Sequence, residues 1–268
     1  MTRRRGLWNV PIALALIAAL VSGVADLHPA SALAQVPVIE VTKTPSVGSV
    51  PESGGVVTFA VEVANSSAAS VTLTDLVDSE FGDLLDPANP AISDNDCDDQ
   101  PTTIDVDGTL ACSFAAMLTG DAGGPDHANT VTATVQDGGG NPTSGDGAAT
   151  VSFTDVMPTV SVAKTPSVGS VPEPGGMVVF TIEVTNTSLE PVTLSSLTDD
   201  VFGDLLDSLN PAVTANDCDD QPTSIDAGAA LTCSFAAELI GLAGDPDHVN
   251  TVTATVQDDE ANPVEGSD

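Results

Sequence analysis

Tyrosine is absent from this chain of 268 residues, and the single tryptophan, Trp8, lies within the first ten. The aromatic residues that remain beyond it are seven phenylalanines, most of them at core-type positions or near Asp-rich turns. Exposed aromatic side chains carry much of the energy of protein interfaces, and they also form the apolar surfaces on which sugars stack. Their scarcity disfavours strong recognition of carbohydrates or peptides.

Basic residues are almost as scarce. Beyond residue 34 only Lys43 and Lys164 remain, against 38 aspartates and glutamates. A charge imbalance of this size keeps a protein soluble and repels phosphate groups, so nucleic acid is excluded as a partner. The acidic surface suits either high salt or the collection of divalent cations. Each lysine is expected to pair with a carboxylate close to it in the fold.

The N-terminus has the pattern of an export signal. Three arginines at positions 3–5 precede an apolar run from Val10 to Val24, and Ala32-Leu33-Ala34 offers the small residues that signal peptidase reads. The run is too short to span a bilayer comfortably, and no stop-transfer pattern follows it. Residues 1–34 are therefore predicted to be a cleaved signal peptide. The mature chain is expected to be secreted or bound to the cell surface, with no transmembrane segment.

The rest of the sequence is a duplication. Lys43, Phe81, Cys97 and His127 each reappear 121 positions later, as Lys164, Phe202, Cys218 and His248, with no gap. A period this long indicates duplicated domains rather than a solenoid of short units. The predicted domains are residues 35–155 and residues 156–268.

Four cysteines accompany the duplication, two in each copy and fifteen positions apart. In an exported protein they are expected to form disulfides, and three pairings are possible. Since each copy must be able to close itself, the predicted pairs are Cys97–Cys112 and Cys218–Cys233. Two cysteines and one histidine in each copy, without a Cys-x-x-Cys motif, do not make a zinc site.

Apolar residues within each copy recur with period two, and Gly, Pro, Asn and Asp separate the runs. This pattern predicts an all-β fold of two tandem immunoglobulin-like antiparallel β-sandwiches. Seven strands are expected in the first copy: Val38–Lys43, Val47–Val50, Val56–Val63, Val71–Leu76, Leu110–Leu118, Asn129–Gln136 and Ala148–Thr154. The last of these maps to positions 269–275. The second copy is therefore predicted to lack its final strand, as a fragment of a longer repeat protein would.

Several short motifs, in one order, carry a family resemblance. They are Thr165-Pro166-Ser167-Val168, Val171 to Gly176, Phe180 to Ser188, Pro191 to Leu194, Phe202 to Leu205, Cys233 to Phe235 and Asn250 to Ala254. Nearly all of residues 36–268 resembles a bacterial and archaeal cell-surface repeat family known as a conserved repeat domain of unknown function. The resemblance implies an immunoglobulin-like sandwich, a tandem arrangement in exported proteins, and a passive or adhesive role beside neighbouring repeats or surface proteins. It implies no catalytic or cofactor residues.

Carboxylates crowd the predicted disulfides and form the candidate metal site. The candidate ligands are Asp96, Asp98, Asp99, Asp105, Asp217, Asp219, Asp220 and Asp226. Calcium binds six to eight oxygens, which clustered aspartates can supply, but the spacing matches no EF-hand. The alternative is a solvated acidic loop without metal.

Two functions follow as hypotheses. The first is a non-catalytic structural repeat protein that serves as a stalk, spacer or matrix component. The second is a calcium-dependent adhesion module whose acidic loops order on the metal. An enzyme is not expected, because Asp126-His127 and Asp247-His248 have no accompanying nucleophile. No cofactor other than calcium is expected.

Overall fold

The structure is a computed structural model that describes residues 36–268. The predicted signal peptide therefore lies outside the described residues. In the described part, every regular element is a β-strand. No helix there has the length and apolar character needed to cross a membrane.

The first half of the described chain folds into two sheets. Its strands are β1 (Ile39–Pro45), β2 (Ser49–Pro51), β3 (Gly55–Asn65), β4 (Val71–Asp78), β5 (Gly82–Asp83), β6 (Thr103–Ile104), β7 (Thr109–Leu118), β8 (His127–Gln136) and β9 (Pro142–Thr154). The smaller sheet has the order β1-β3-β7, and the larger has the order β2-β9-β8-β4-β5 with β6 beside β4. Only the short pairing of β2 with the end of β9 is parallel. The two sheets form the first sandwich.

The second half repeats this arrangement. Its strands are β10 (Val160–Pro166), β11 (Gly175–Asn186), β12 (Val192–Asp199), β13 (Gly203–Asp204), β14 (Ser224–Ile225), β15 (Ala230–Ile240), β16 (Val252–Gln257) and β17 (Pro263–Ser267). One sheet has the order β10-β11-β15, and the other has the order β13-β12-β16-β17 with β14 beside β12. The predicted all-β fold class is confirmed, and these two sheets form the second sandwich.

Alternating side chains build the core of each sandwich. In β3, Val57, Phe59 and Val61 are fully buried while the residues between them face outward. Phe59 lies opposite Phe114 of β7, and the two rings stack with centroids 5.4 Å apart. Each such side chain contributes about 1.5–3 kcal/mol through burial. The two cores share no residue, and the change from one to the next falls between Phe153 and Val160.

Each sandwich contains its own disulfide. Cys97 is bonded to Cys112, and Cys218 is bonded to Cys233. All four sulfurs belong to residues buried in the core. The predicted pairing is confirmed, and it anchors the long loop before β7 or β15 onto that strand. Disulfides of this kind are typical of proteins that fold in an oxidising, extracytoplasmic compartment.

The last strand differs from the prediction. β9 begins at Pro142 rather than at Ala148, and its first five residues have counterparts in β17, which pairs with β16 in the same register. The strand therefore begins earlier than predicted, and the second sandwich has its first part, whereas the absence of the part equivalent to residues 148–154 stays a prediction. The first part of the strand is hard to recognise in the sequence, because Pro142, Gly145 and Gly147 do not continue the alternation of apolar and polar residues. At Gly147 an added Cβ would lie 2.9 Å from the backbone of Val41 and Thr42, so this stretch needs glycine to pass close to β1.

The far end of the second sandwich is open. A cleft of about 770 Å³ is lined by side chains of core type, among them Val178, Phe180 and Leu239. In the first sandwich the end of β9 supplies Val151, which is fully buried, and Phe153, which packs against the core. Strand β16 is correspondingly shorter than β8, and residues 170–172 form no counterpart of β2.

Appending the sequence of residues 148–154 after Asp268 is expected to raise the thermal midpoint of the second sandwich and to reduce self-association. The added segment would extend β17 and cover the unpaired backbone and apolar surface of the cleft. Calorimetry and size-exclusion chromatography measure the two effects. The control is the same extension with serine in place of its valine and phenylalanine. Equal results for both extensions would show that the cleft does not accept this strand.

Candidate functional site

The carboxylates near the disulfides do not converge in the structure. Six of the eight predicted metal ligands are exposed, and Asp98 and Asp219 are half-buried. Among residues 36–268, the groups of potential ligands at these loops hold only one carboxylate each, Asp96 or Asp217, beside the two bonded cysteines. Disulfide sulfurs lack the thiolate that binds metals.

Several of these acidic residues have structural roles instead. Asp96 Oδ1 accepts a hydrogen bond from the Ser113 backbone N–H at 2.5 Å, and Asp217 accepts the equivalent bond from Ser234. Asn95 donates its side-chain amide to Asp98 Oδ1 at 3.1 Å and to the Leu84 carbonyl at 2.9 Å. These bonds fold the loop over the disulfide. Calcium binding at the eight predicted aspartates stays a prediction.

A different acidic group lies where the two sandwiches meet. Residues 155–159 connect β9 to β10, and Glu52 of the first sandwich holds this connection. Its Oε1 accepts a hydrogen bond from the Val156 N–H at 2.6 Å, and its Oε2 accepts one from the Ala122 N–H at 2.9 Å. Across the boundary, Asn262 donates to Asp155 Oδ2 at 2.9 Å and to Asp258 Oδ2 at 3.0 Å. The connection is short and bonded to both sandwiches.

Seven carboxylates gather at this boundary, and we call them the junction cluster. Its members come from both sandwiches: Glu52, Asp121, Asp155, Glu190, Asp258, Asp259 and Glu260. They form three overlapping groups, in each of which one oxygen per residue lies within 4.8 Å of the others. Both lysines beyond residue 34 are bonded elsewhere, to Asp78 and Asp199, so no basic side chain compensates this charge.

Two glutamates of the cluster have buried carboxylate oxygens without a hydrogen-bond partner. Glu190 is only 6% exposed, and its Oε1 accepts no hydrogen bond. Both carboxylate oxygens of Glu260 are also buried and unpaired. Burial, followed by repulsion from Glu52, raises the pKa of Glu190 to about 7. Burial and the neighbouring Asp259 raise the pKa of Glu260 to about 7. Buried carboxylates need protons or a cation.

A pH dependence follows for the metal-free protein. Because the folded state raises the pKa of Glu190 above its usual value of 4.5, the folded chain binds more protons than the unfolded chain between these values. Stability is therefore expected to rise as the pH falls from 8 towards about 5. Thermal melts in a chelating buffer measure it. Glu190→Gln should flatten this slope and raise the midpoint at pH 8, whereas a slope that is unchanged would contradict the assignment.

Comparison of the two copies shows that this acidity is specific to the boundary. Glu190 corresponds to Ala69, and Asp259 and Glu260 correspond to Gly138 and Gly139. Asp258 is the exception, since its counterpart Asp137 bonds Asn141 as Asp258 bonds Asn262. The end of the second sandwich that faces the first therefore carries three carboxylates that the matching end of the first does not.

The junction cluster was not predicted from the sequence. Its members are spread over more than 200 positions, from Glu52 to Glu260, and no local spacing marks them. The available signal was the difference between the copies, because Ala69, Gly138 and Gly139 become acidic 121 positions later. The predicted metal site lies instead in the disulfide loops, because these carry the acidic motif that both copies share.

Comparison with known proteins gives no family. No family model and no curated protein matches the chain, so the resemblance to the surface repeat family stays a prediction. Among solved structures, a protein of unknown function from Porphyromonas gingivalis W83 is similar at 13% identity and a TM-score of 0.29, over 85% of this chain and 98% of that one. The CupB6 tip adhesin from Pseudomonas aeruginosa is similar at 12% identity and a TM-score of 0.32, over 87% and 99%.

A tandem repeat from the extending region of a large adhesion protein is also similar, at 15% identity and a TM-score of 0.25, over 86% of this chain and 48% of that one. All three similarities concern all-β proteins, and two of those proteins are described as adhesion proteins. TM-scores this low carry no argument about function.

Proposed function

We propose that this chain is a non-catalytic structural repeat protein of the cell surface or its surroundings, in which a divalent cation fixes one sandwich against the next. The observation that carries the proposal is the junction cluster, in which seven carboxylates from both sandwiches face one another without a basic residue. A stalk or spacer must transmit force through its joints. A cation bound by both sides stiffens such a joint.

Calcium is the cation that fits best. It accepts six to eight oxygens in flexible geometry, and carboxylates can bind it through one oxygen or two. Magnesium requires a tighter octahedral arrangement and retains its waters. Glu190 and Glu260 provide buried oxygens that have no other partner, so a cation would replace the protons that these groups otherwise hold at neutral pH.

Titration calorimetry with calcium chloride tests the proposal. The intact chain is expected to bind calcium, and at a concentration one hundred times the Kd the ion should stabilise it by about 2.7 kcal/mol. Glu190→Gln and Glu52→Gln should each weaken binding, whereas Glu62→Gln, on the exposed face of β3, should not. Binding that survives both junction substitutions would overturn the proposal.

The same titration separates the second candidate function, a calcium-dependent adhesion module based on the disulfide loops. The double substitution Asp98→Asn and Asp219→Asn removes the two half-buried aspartates of those loops. Calcium binding that is lost in this variant and retained in Glu190→Gln would place the site at the loops. The junction proposal expects the reverse.

A further inference from the structure

The first sandwich contains a closed network of three buried polar side chains. Lys43 Nζ lies 2.5 Å from Asp78 Oδ2, and the Asn129 amide donates to both oxygens of Asp78 at 2.9 and 3.1 Å. All three residues are buried, with exposures of 5%, 1% and 3%. Asp78 thus touches both the amine and the carboxamide. The predicted pairing of Lys43 with a carboxylate is confirmed. Asn129 adds a carboxamide beside the same carboxylate.

The second sandwich repeats the network at the offset of 121 residues. Lys164 Nζ bonds Asp199 Oδ2, and the Asn250 amide donates to the same oxygen at 2.7 Å. These two lysines are the only basic residues beyond position 5 in a chain with 39 acidic ones. Each copy therefore has one lysine and no arginine, and in both copies the lysine occupies this position.

Phenylalanine rings surround the amines. Lys43 Nζ lies 4.2 Å from the centroid of Phe59 and 5.3 Å from that of Phe114. Lys164 Nζ lies 4.8 Å from the centroid of Phe180. Burial lowers the pKa of Lys43, and Asp78 opposes this effect. Desolvation in an apolar pocket is one of the ways in which a lysine amine becomes a nucleophile, and proton transfer to Asp78 leaves both groups neutral.

The Asn129 carboxamide is also placed where it can react. Asn129 Oδ1 is buried and accepts no hydrogen bond. A proton held on Asp78 lies beside Asn129 Nδ2, the nitrogen that must be protonated in order to leave. The three groups therefore supply a nucleophile, an acyl carbon and a shared general acid–base, held together by the packing of two sheets.

We propose that Lys43 forms an intramolecular amide bond with Asn129, that Asp78 is the acid–base of this reaction, and that Lys164, Asp199 and Asn250 form a second bond in the same way. Asp78 takes a proton from the Lys43 ammonium, and the Nζ lone pair attacks Asn129 Cγ. The bond from Cγ to Nδ2 then breaks as Asp78 delivers the proton to the departing nitrogen, which leaves as ammonia, and the second proton that Nζ loses on becoming an amide passes to Asp78. An amine and a carboxamide become a secondary amide and one ammonia, so no oxidant or cofactor is consumed.

The bond would join the two sheets of one sandwich. Lys43 lies on β1 of the smaller sheet, and Asn129 lies on β8 of the larger one. A covalent link between sheets remains when the disulfides are reduced. It would prevent the sheets from separating under tension or heat, and it is independent of any cation at the junction.

Intact mass spectrometry of the exported, folded chain after reduction of the disulfides tests the proposal. Each bond removes one ammonia, so the expected mass is lower by two ammonias than the sequence mass after signal cleavage. Digestion at acidic residues should yield one branched peptide containing Lys43 and Asn129, and another containing Lys164 and Asn250. The full sequence mass in folded protein would overturn the proposal. The loss of water in place of ammonia would overturn Asn129 as the acyl group.

Variants assign the roles. Asn129→Ala should lack one ammonia relative to its own sequence mass instead of two, because only the second bond can form. Asp78→Asn, which retains the shape of the side chain, should give the same result. Asn141→Ala, in the turn between β8 and β9, is the matched control and should keep both losses. Circular dichroism confirms that each variant is folded. A bond that persists in folded Asp78→Asn would overturn the role of Asp78, and the second sandwich provides an independent replicate through Asp199→Asn.

Discussion

In the Asn129→Ala background, where the proposed amide bond cannot form, replacing Lys43 with methionine is expected to lower the free energy of unfolding by about 3–5 kcal/mol, because it leaves a charged group buried without its partner. Asp78 is 1% exposed, and Lys43 contributes its only cationic contact among the described residues. The N–H groups of Glu80 and Phe81 bond Asp78 as well, but they do not neutralise its charge. Chemical denaturation followed by circular dichroism measures the loss.

Two controls test whether the loss of stability comes from the unpaired buried charge. Thr44→Ala changes an exposed position on the same strand and should alter stability by less than about 0.5 kcal/mol. The double variant Lys43→Met with Asp78→Leu removes both charges and should recover most of the loss, since a buried ion pair adds little over apolar packing. If the single variant is as stable as its Asn129→Ala parent, the contact between Lys43 and Asp78 does not stabilise the fold as an ion pair.

Removing the disulfide of the first sandwich is expected to cost about 3 kcal/mol, the entropy of closing a loop of this length in the unfolded chain. Cys97 and Cys112 are 15 positions apart and are 1% and 6% exposed. The double replacement by alanine therefore also leaves a small cavity in the core, which adds to the loss. This bond, the bridge between Ser93 and Ala115 and the hydrogen bond from Ser113 to Asp96 anchor the long loop before β7, so its protection from proteolysis should fall when the disulfide is removed.

The second disulfide is the matched control. Cys218 and Cys233 have the same separation and nearly the same burial. The corresponding double variant should destabilise the second sandwich and leave the loop of the first one protected from proteolysis. Non-reducing peptide mapping of the wild type checks the pairing itself, and a peptide that joins Cys97 to Cys233 would contradict the structure. Equal proteolysis of both loops in either variant would mean that the two sandwiches do not fold independently.

Local patterns explain why much of the fold was predictable. A strand with one buried face alternates apolar and polar residues, so β3, β7 and β8 are visible in the sequence. The cysteine pairing follows from repetition, because each copy must close itself. β9 was predicted only in its second half. Its first half contains glycines that let it approach β1 closely, and a strand selected for close backbone approach does not show apolar alternation.

The sequence by itself determined the all-β class, the duplication and both disulfides, since each of these depends on local periodicity or on comparison of the copies. Only the tertiary structure decided which charged groups meet. Glu52 and Glu190 lie in different sandwiches, and Lys43, Asp78 and Asn129 come from three strands of two sheets. Electrostatic interactions depend on distance in space and on burial, and neither quantity is recorded in the spacing of residues along the chain. The predicted metal ligands were neighbours in sequence, whereas the carboxylates that converge are neighbours only after folding.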